Sequence, residues 1–122
     1  ARMSCVLTVA VAEPDAGRVY YVHVGDTRLY RFRAGQLDKI TRDHSLVGVR
    51  EDAGQLTEAE AMRHPRRNEI LRDVGSEPHR VDDPEFLESG ETELRPGDRL
   101  LLCSDGLTDM LTRAQIAAVL EG

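Results

Sequence analysis

Apolar residues in this chain come in short runs separated by polar breaks, and the spacing inside each run sets the element it predicts. Ser4 to Ala12 is apolar at both alternating sets of positions, as in a strand covered on both faces, which predicts a central place in a sheet. Pro14-Asp15-Ala16-Gly17 interrupts it, and Arg18 to Val24, rich in β-branched and aromatic residues, predicts a second strand joined to the first as an antiparallel hairpin. After Gly25-Asp26, Tyr30 and Phe32 alternate with Arg31 and Arg33, the pattern of a strand with one wet face. Ala34-Gly35 then turns the chain into Gln36 to Ile40, so the first 40 residues read as a four-strand meander.

The period changes at Ser45. Ser45 is placed as an N-cap, Leu46, Val49 and Ala53 share one helical face, and Gly54 stands where a left-handed residue ends a helix. Thr57 and Glu60 have capping-box spacing for a second helix of about two turns that Pro65 ends. Arg63 to Asp83 is polar and without sustained period, and reads mostly as loop. Phe86-Leu87-Glu88 is a short strand candidate, and Pro96-Gly97-Asp98 has the order of a type II turn. Leu100 to Cys103 is another strand apolar on both faces, broken by Ser104-Asp105-Gly106. Thr112 and Gln115 repeat the capping-box spacing for a last helix, with Leu111 positioned to staple against Ile116. Strands, a polar helical insert, then strand and helix predict an α+β fold of largely antiparallel sheet layers covered by helices.

Composition narrows the function classes. In 122 residues, 22 acidic side chains oppose 16 basic ones, and a net charge of -6 argues against nucleic acid as a partner. No apolar run is long enough to cross a bilayer and no secretion signal is legible, which predicts a cytoplasmic setting. Cys5 and Cys103 each sit in a strand-like apolar run without metal-type spacing, and read as buried reduced thiols.

Asp26 and Asp105 are each the first charge after a buried run. A carboxylate at a strand end is held rigidly at the rim of the core, where a hard cation such as Mg2+ or Mn2+ offsets its desolvation. The competing reading is that both begin ordinary turns, since Asp and Gly are common turn residues. On local pattern alone the turn reading carries more weight.

Three blocks change that balance. VHVGDTRLYRFRAGQLDKITRDHS from Val22, AGQLTEAEAMRHPRRNEILRDVG from Ala53 and LRPGDRLLLCSDGLTDML from Leu94 together resemble, in order and spacing, the C-terminal half of the PPM (protein phosphatase 2C) domain of bacterial type. The resemblance implies an α/β/β/α sandwich, incomplete in this chain, and metal-dependent hydrolysis of phosphoserine and phosphothreonine in proteins, reversing a bacterial kinase. It implies a pair of Mg2+ or Mn2+ ions that activate water for direct attack on phosphorus, with a possible third ion beside them. Asp105, in SDG, matches the aspartate that binds the metal pair, and Asp26, in GDT, the one that helps hold the third. Residues 43–75 resemble the flap subdomain beside the cleft. There Arg63, His64, Arg66 and Arg67 form a basic cluster suited to a phosphopeptide, or else a solvated loop in which Arg66 or Arg67 ties the flap to the body. His23 reads as a satisfied core or rim histidine, His44 as ordering the approach to the flap, and His64 as a helix terminator.

The upstream segments that supply the phosphate-gripping arginine and the DG-loop ligands have no counterpart here, nor does the downstream Asp-Asn strand. No catalytic residue is identified in this chain, and by itself it is expected to be inactive and to expose apolar strand surface. The alternative function is a degenerate phosphatase-like domain that binds a partner without catalysis.

Overall fold

The computed structural model describes residues 5–67, 69–74, 83 and 86–121. Among the described residues six strands form two antiparallel sheets. Strands β1 (Leu7–Glu13), β2 (Arg18–Val24) and β5 (Glu88–Glu93) lie in the order β1-β2-β5. Strands β3 (Arg28–Arg33), β4 (Gln36–Lys39) and β6 (Arg99–Cys103) lie in the order β4-β3-β6. The helices are α1 (Leu46–Asp52), α2 (Glu58–Arg63), α3 (Asp105–Thr108) and α4 (Arg113–Glu121).

The expected meander is therefore two hairpins in two different sheets. β1 pairs with β2 and β3 with β4, but β2 and β3 do not pair, because the chain leaves one sheet for the other at Gly25. Gly25 has φ +106°, and a Cβ there would stand 2.2 Å from Val6 Cγ1, so only glycine permits this crossing.

Register sorts the side chains into layers. Tyr30 and Phe32 on β3, with Leu37 on β4, pack against Ile116 of α4, and Leu101, Leu107, Leu111 and Leu120 surround them. The opposite side of β3 carries Leu29 and Arg31, and Arg31 Nη1 reaches the other sheet, donating to Thr92 Oγ1 at 2.9 Å and to the Glu93 carbonyl at 3.1 Å. The outer face of the first sheet is open: Leu7, Val9 and Val11 are 48%, 41% and 54% exposed, and Tyr20, opposite Val11, is 39% exposed.

That exposure bears out the expected uncovered strand surface and corrects the expected central place of β1, which is an edge strand. Apolarity on both faces shows what a strand is suited to, whereas burial requires an element packed on it. Among the described residues none covers this face. For the same reason Cys5 is exposed and Cys103 only half-buried, both as free thiols, rather than buried as their apolar surroundings suggested.

The predicted caps form. Ser45 accepts from the Gly48 amide, and Thr57 and Glu60 make a reciprocal capping box. Thr112 and Gln115 do the same ahead of α4. The buried face of α1, however, is Val47 and Gly48 rather than Leu46, Val49 and Ala53, and Val49 is 47% exposed. The helix is rolled so that Gly48 packs directly on the Asp43 side chain, where an added Cβ would stand 2.3 Å from Asp43 Cβ. The strand candidate at Phe86 begins instead at Glu88 and runs through ESGETE, which has no hydrophobic pattern; Gly90 there lies against the Tyr21 ring of β2. Within the expected loop, residues 64–67 and 69–74 form no helix or ladder beyond the isolated bridges Ser45–Ile70 and Cys5–Val74. Apart from Asp83, residues 75–85 and Asn68 lie outside the described residues.

The α2 cap gives a direct stability test. Thr57→Ala removes the acceptor for the Glu60 amide and is expected to cost about 1 kcal/mol in urea unfolding, with an unchanged m-value.

Candidate metal centre

The pairing of β3 with β6 decides where the two aspartates go. Arg28 lies opposite Cys103 in that antiparallel ladder, so Asp26, two residues before Arg28, and Asp105, two after Cys103, emerge at the same end of the sheet. Both line one cleft. Asp26 follows the Gly25 crossing and is buried, 9% exposed; Asp105 opens α3.

A third carboxylate joins them that the sequence analysis did not single out. Asp109 lies one helical turn beyond Asp105, its amide bonded to the Asp105 carbonyl at 2.8 Å, and lines the same cleft. The i, i+4 spacing within SDGLTD was the available signal. It was obscured because SDG reads as a turn, whereas the structure makes it the first turn of a helix.

The charges in the cleft are unbalanced. Among its described lining residues six carboxylates face two guanidinium groups. The first, Arg28, is already engaged: Nε and Nη2 donate to Asp43 at 3.0 and 2.5 Å, and Nη1 donates to Tyr30 Oη at 2.8 Å. The second, Arg67, stands 3.9 Å from Asp109. Burial, and then the Asp105 charge, push the Asp26 carboxyl above the usual carboxylate range; the same two causes raise Asp109. Like-charged oxygen donors that disfavour one another's ionisation, held on two rigid segments, are a donor set that a hard divalent cation fits.

Of the basic cluster expected in the flap only Arg67 lines this cleft. Arg63 is exposed on α2, and neither it nor His64 lines the cleft. His64 ends α2, its Nδ1 accepting from the Arg66 amide, and Arg66 pairs with Glu69. The Arg67–Asp109 pair and the Glu58 carboxylate, which accepts from the Arg113 amide, tie this segment to α3 and α4.

A second group of metal-ligand types lies behind the turn, where ligand atoms of His23, His44 and Glu88 fall within 4.8 Å of one another. Their hydrogen bonds argue against a cation. His44 Nδ1 accepts the Gly25 N–H at 2.9 Å, so its proton is on Nε2, which faces Glu88 at 3.7 Å. His23 Nε2 donates to the Arg42 carbonyl at 2.8 Å, leaving Nδ1 to accept from Thr8 Oγ1 at 2.8 Å. Both rings thus have their lone pairs occupied and are neutral, and burial lowers the pKa of each. His23 is the satisfied core histidine that its strand position suggested.

The protein phosphatase 2C family profile matches residues 1–121. A putative protein phosphatase 2C-type protein of Streptococcus pyogenes is 39% identical over 115 residues, covering 94% of this chain and 44% of that protein. The crystal structure of the Mycobacterium tuberculosis serine/threonine phosphatase PstP/Ppp superposes with a TM-score of 0.77 at 35% identity, covering 95% of this chain and 46% of that one. A structure of the PstP catalytic domain in complex with two manganese ions gives 0.71 at 33% identity, over 96% and 45% of the two chains. This chain spans under half the length of the relatives it matches. With two antiparallel sheets in the same arrangement and a family match along nearly its whole length, the chain belongs to the protein phosphatase 2C family.

Proposed function

We propose that this chain is part of a metal-dependent phosphatase that removes phosphate from phosphoserine and phosphothreonine in proteins modified by a bacterial serine/threonine kinase, acting in the cytoplasm. The observation that carries the reading is the convergence of Asp26, Asp105 and Asp109 at one cleft from segments far apart in sequence. Asp105 and Asp26 hold Mg2+ or Mn2+, with Asp109 as a further carboxylate beside them. When bound, such ions lower the pKa of water and neutralise phosphoryl oxygens.

The chain's own residues supply position and charge. Asp43 and Tyr30 keep the Arg28 guanidinium from collapsing onto Asp26 and Asp105, which leaves those carboxylates available. Residues 43–75 form the flap beside the cleft, and Arg67, at its rim, is placed to meet a phosphoryl group or to hold the flap shut against Asp109. The two core ions draw ligands from further segments of the full-length protein, so the 122-residue chain alone lacks activity.

Calorimetric titration of the full-length protein with Mn2+ tests the site. Asp26→Asn is expected to weaken or abolish one class of binding sites while sparing the rest. Unaltered isotherms for both Asp26→Asn and Asp105→Asn would favour a phosphoprotein-binding domain without catalysis. The isolated chain is expected to show no measurable Mn2+-dependent hydrolysis of an aryl phosphate, and turnover comparable to the full-length protein would refute the need for other segments.

A further inference from the structure

Three consecutive residues, Asp43, His44 and Ser45, each grip a different part of the structure around Asp26. His44 holds Gly25 at both of its peptide units: the ring Nδ1 accepts the Gly25 N–H at 2.9 Å, and the His44 N–H donates to the Gly25 carbonyl at 2.7 Å. Gly25 sits at φ +106° immediately before Asp26, so these two bonds fix the backbone that aims the carboxylate. Asp43 takes the guanidinium of Arg28, two residues beyond Asp26, through both of its oxygens. Ser45 caps α1 by accepting the Gly48 N–H at 3.1 Å. Gly48 in turn rests on Asp43, where an added Cβ would lie 2.4 Å from Oδ2, so the helix closes over the carboxylate that holds Arg28.

The gripping residues are themselves immobilised. Asp43 is 3% exposed and is also approached by Lys39 Nζ at 3.4 Å, while Lys39 binds Asp52 on α1. The His44 ring is 6% exposed and packs at a tilt of 39° against His23, 4.6 Å between centroids. His23 is fixed by Arg42 and Thr8, and the Thr8 hydroxyl meets Thr27 Oγ1 at 2.6 Å. Because His23 Nδ1 has only a lone pair to offer, Thr8 donates to it and accepts from Thr27. Gly25, Thr27 and Arg28 are thus all held by groups outside the turn, and Asp26 lines the cleft beside an Arg28 guanidinium that is already engaged.

We propose that the Asp43-His44 pair is a positioning clamp for Asp26, with His44 as its principal residue, so that metal affinity at Asp26 depends on a hydrogen-bond acceptor at the His44 Nδ1 position. The proposal rests on the reading of Asp26 as a metal ligand. His44 never touches the ion; it acts as an outer group that orients a ligand, through the backbone rather than through the carboxylate. The same clamp joins the metal turn to α1, so the flap helix and the Asp26 carboxylate share one anchor.

The test is Mn2+ affinity of the full-length protein, measured by electron paramagnetic resonance titration for wild type, Asp26→Asn, His44→Phe and His44→Asn. Phe fills the ring's space without an acceptor, whereas the Asn side-chain oxygen stands near the Nδ1 position. His44→Phe is expected to raise the dissociation constant of the Asp26-dependent site roughly 10- to 100-fold, and His44→Asn to restore most of the loss, a rescue that a purely space-filling role would not give. If Asp26→Asn weakens binding and His44→Phe does not, the clamp is wrong and the metal site stands. If Asp26→Asn binds like wild type, both readings fall together. Should His44→Phe not fold, the wild-type protein still decides: with Mg2+ bound, the Gly25 amide nitrogen and His44 Nδ1 should show a 15N–15N coupling across their hydrogen bond, and its absence overturns the clamp.

Discussion

Replacing Asp105 by asparagine in the full-length protein is expected to lower Mn2+-dependent hydrolysis of an aryl phosphate by roughly 10³-fold. Asparagine keeps the shape and one oxygen donor but removes the charge, and several kcal/mol of transition-state stabilisation are at stake where an ion neutralises a phosphoryl group. The effect should exceed that of Asp26→Asn, because Asp105 lies between the other two carboxylates electrostatically: its charge is among the causes that raise both Asp26 and Asp109. Removing it relieves repulsion in the cleft, so the variant should fold at least as stably as wild type while losing turnover. That opposite movement of stability and activity separates a ligand from a structural aspartate. Full turnover in Asp105→Asn, or loss of turnover only in proportion to unfolding, would remove the assignment.

Acidification should destabilise the fold before the ordinary carboxylates titrate. His44 is neutral because its Nδ1 lone pair receives the Gly25 N–H; burial, then the neighbouring His23 and Arg72, lower its pKa to about 4. In the unfolded chain a histidine titrates near 6.5. Between those values the unfolded state binds the extra proton, so the stability contributed by His44 is complete above about pH 6.5, declines as pH falls and is lost by about pH 4. The span corresponds to about 3 kcal/mol. His23, lowered chiefly by burial, acts in the same direction. Asp26, Glu88 and Asp109 act in the opposite one: their folded pKa values are raised, so protonating them as pH falls favours the native state. The difference between wild type and His44→Asn in urea unfolding at pH 7 and pH 4.5 isolates the histidine. The variant should lose distinctly less stability on acidification, and equal losses would show that His44 titrates normally in the fold.

The exposed apolar face of the first sheet bears on how such experiments are read. Leu7, Val9 and Val11 on the edge strand β1, with Tyr20 beside Val11 on β2, present an exposed apolar surface prone to association when nothing covers it. Measurements on the full-length protein are therefore the informative ones for the metal site.

Local sequence determined most of the elements. Alternation of Tyr30 and Phe32 with arginines put their rings on one side of β3, and the spacing of Thr57 with Glu60 and of Thr112 with Gln115 placed two helix starts where they occur. Those signals are legible because each depends on interactions within a few residues. The family likeness reached further and matched Asp26 and Asp105 as partners. What the sequence could not show depended on partners distant along the chain. β5, written ESGETE, has no strand pattern of its own and exists because Tyr21 and its neighbours on β2 supply a ladder that Gly90 can approach closely. The buried face of α1 was chosen by Asp43 and Gly48 against the helix's own apolar periodicity, since a buried carboxylate must keep its guanidinium partner. Only the β3–β6 register brought Asp26 and Asp105 to the same sheet end, and only the helical turn of α3 added Asp109. Propensity is set residue by residue, whereas the convergence of charges in one cleft is set by which strand lies beside which.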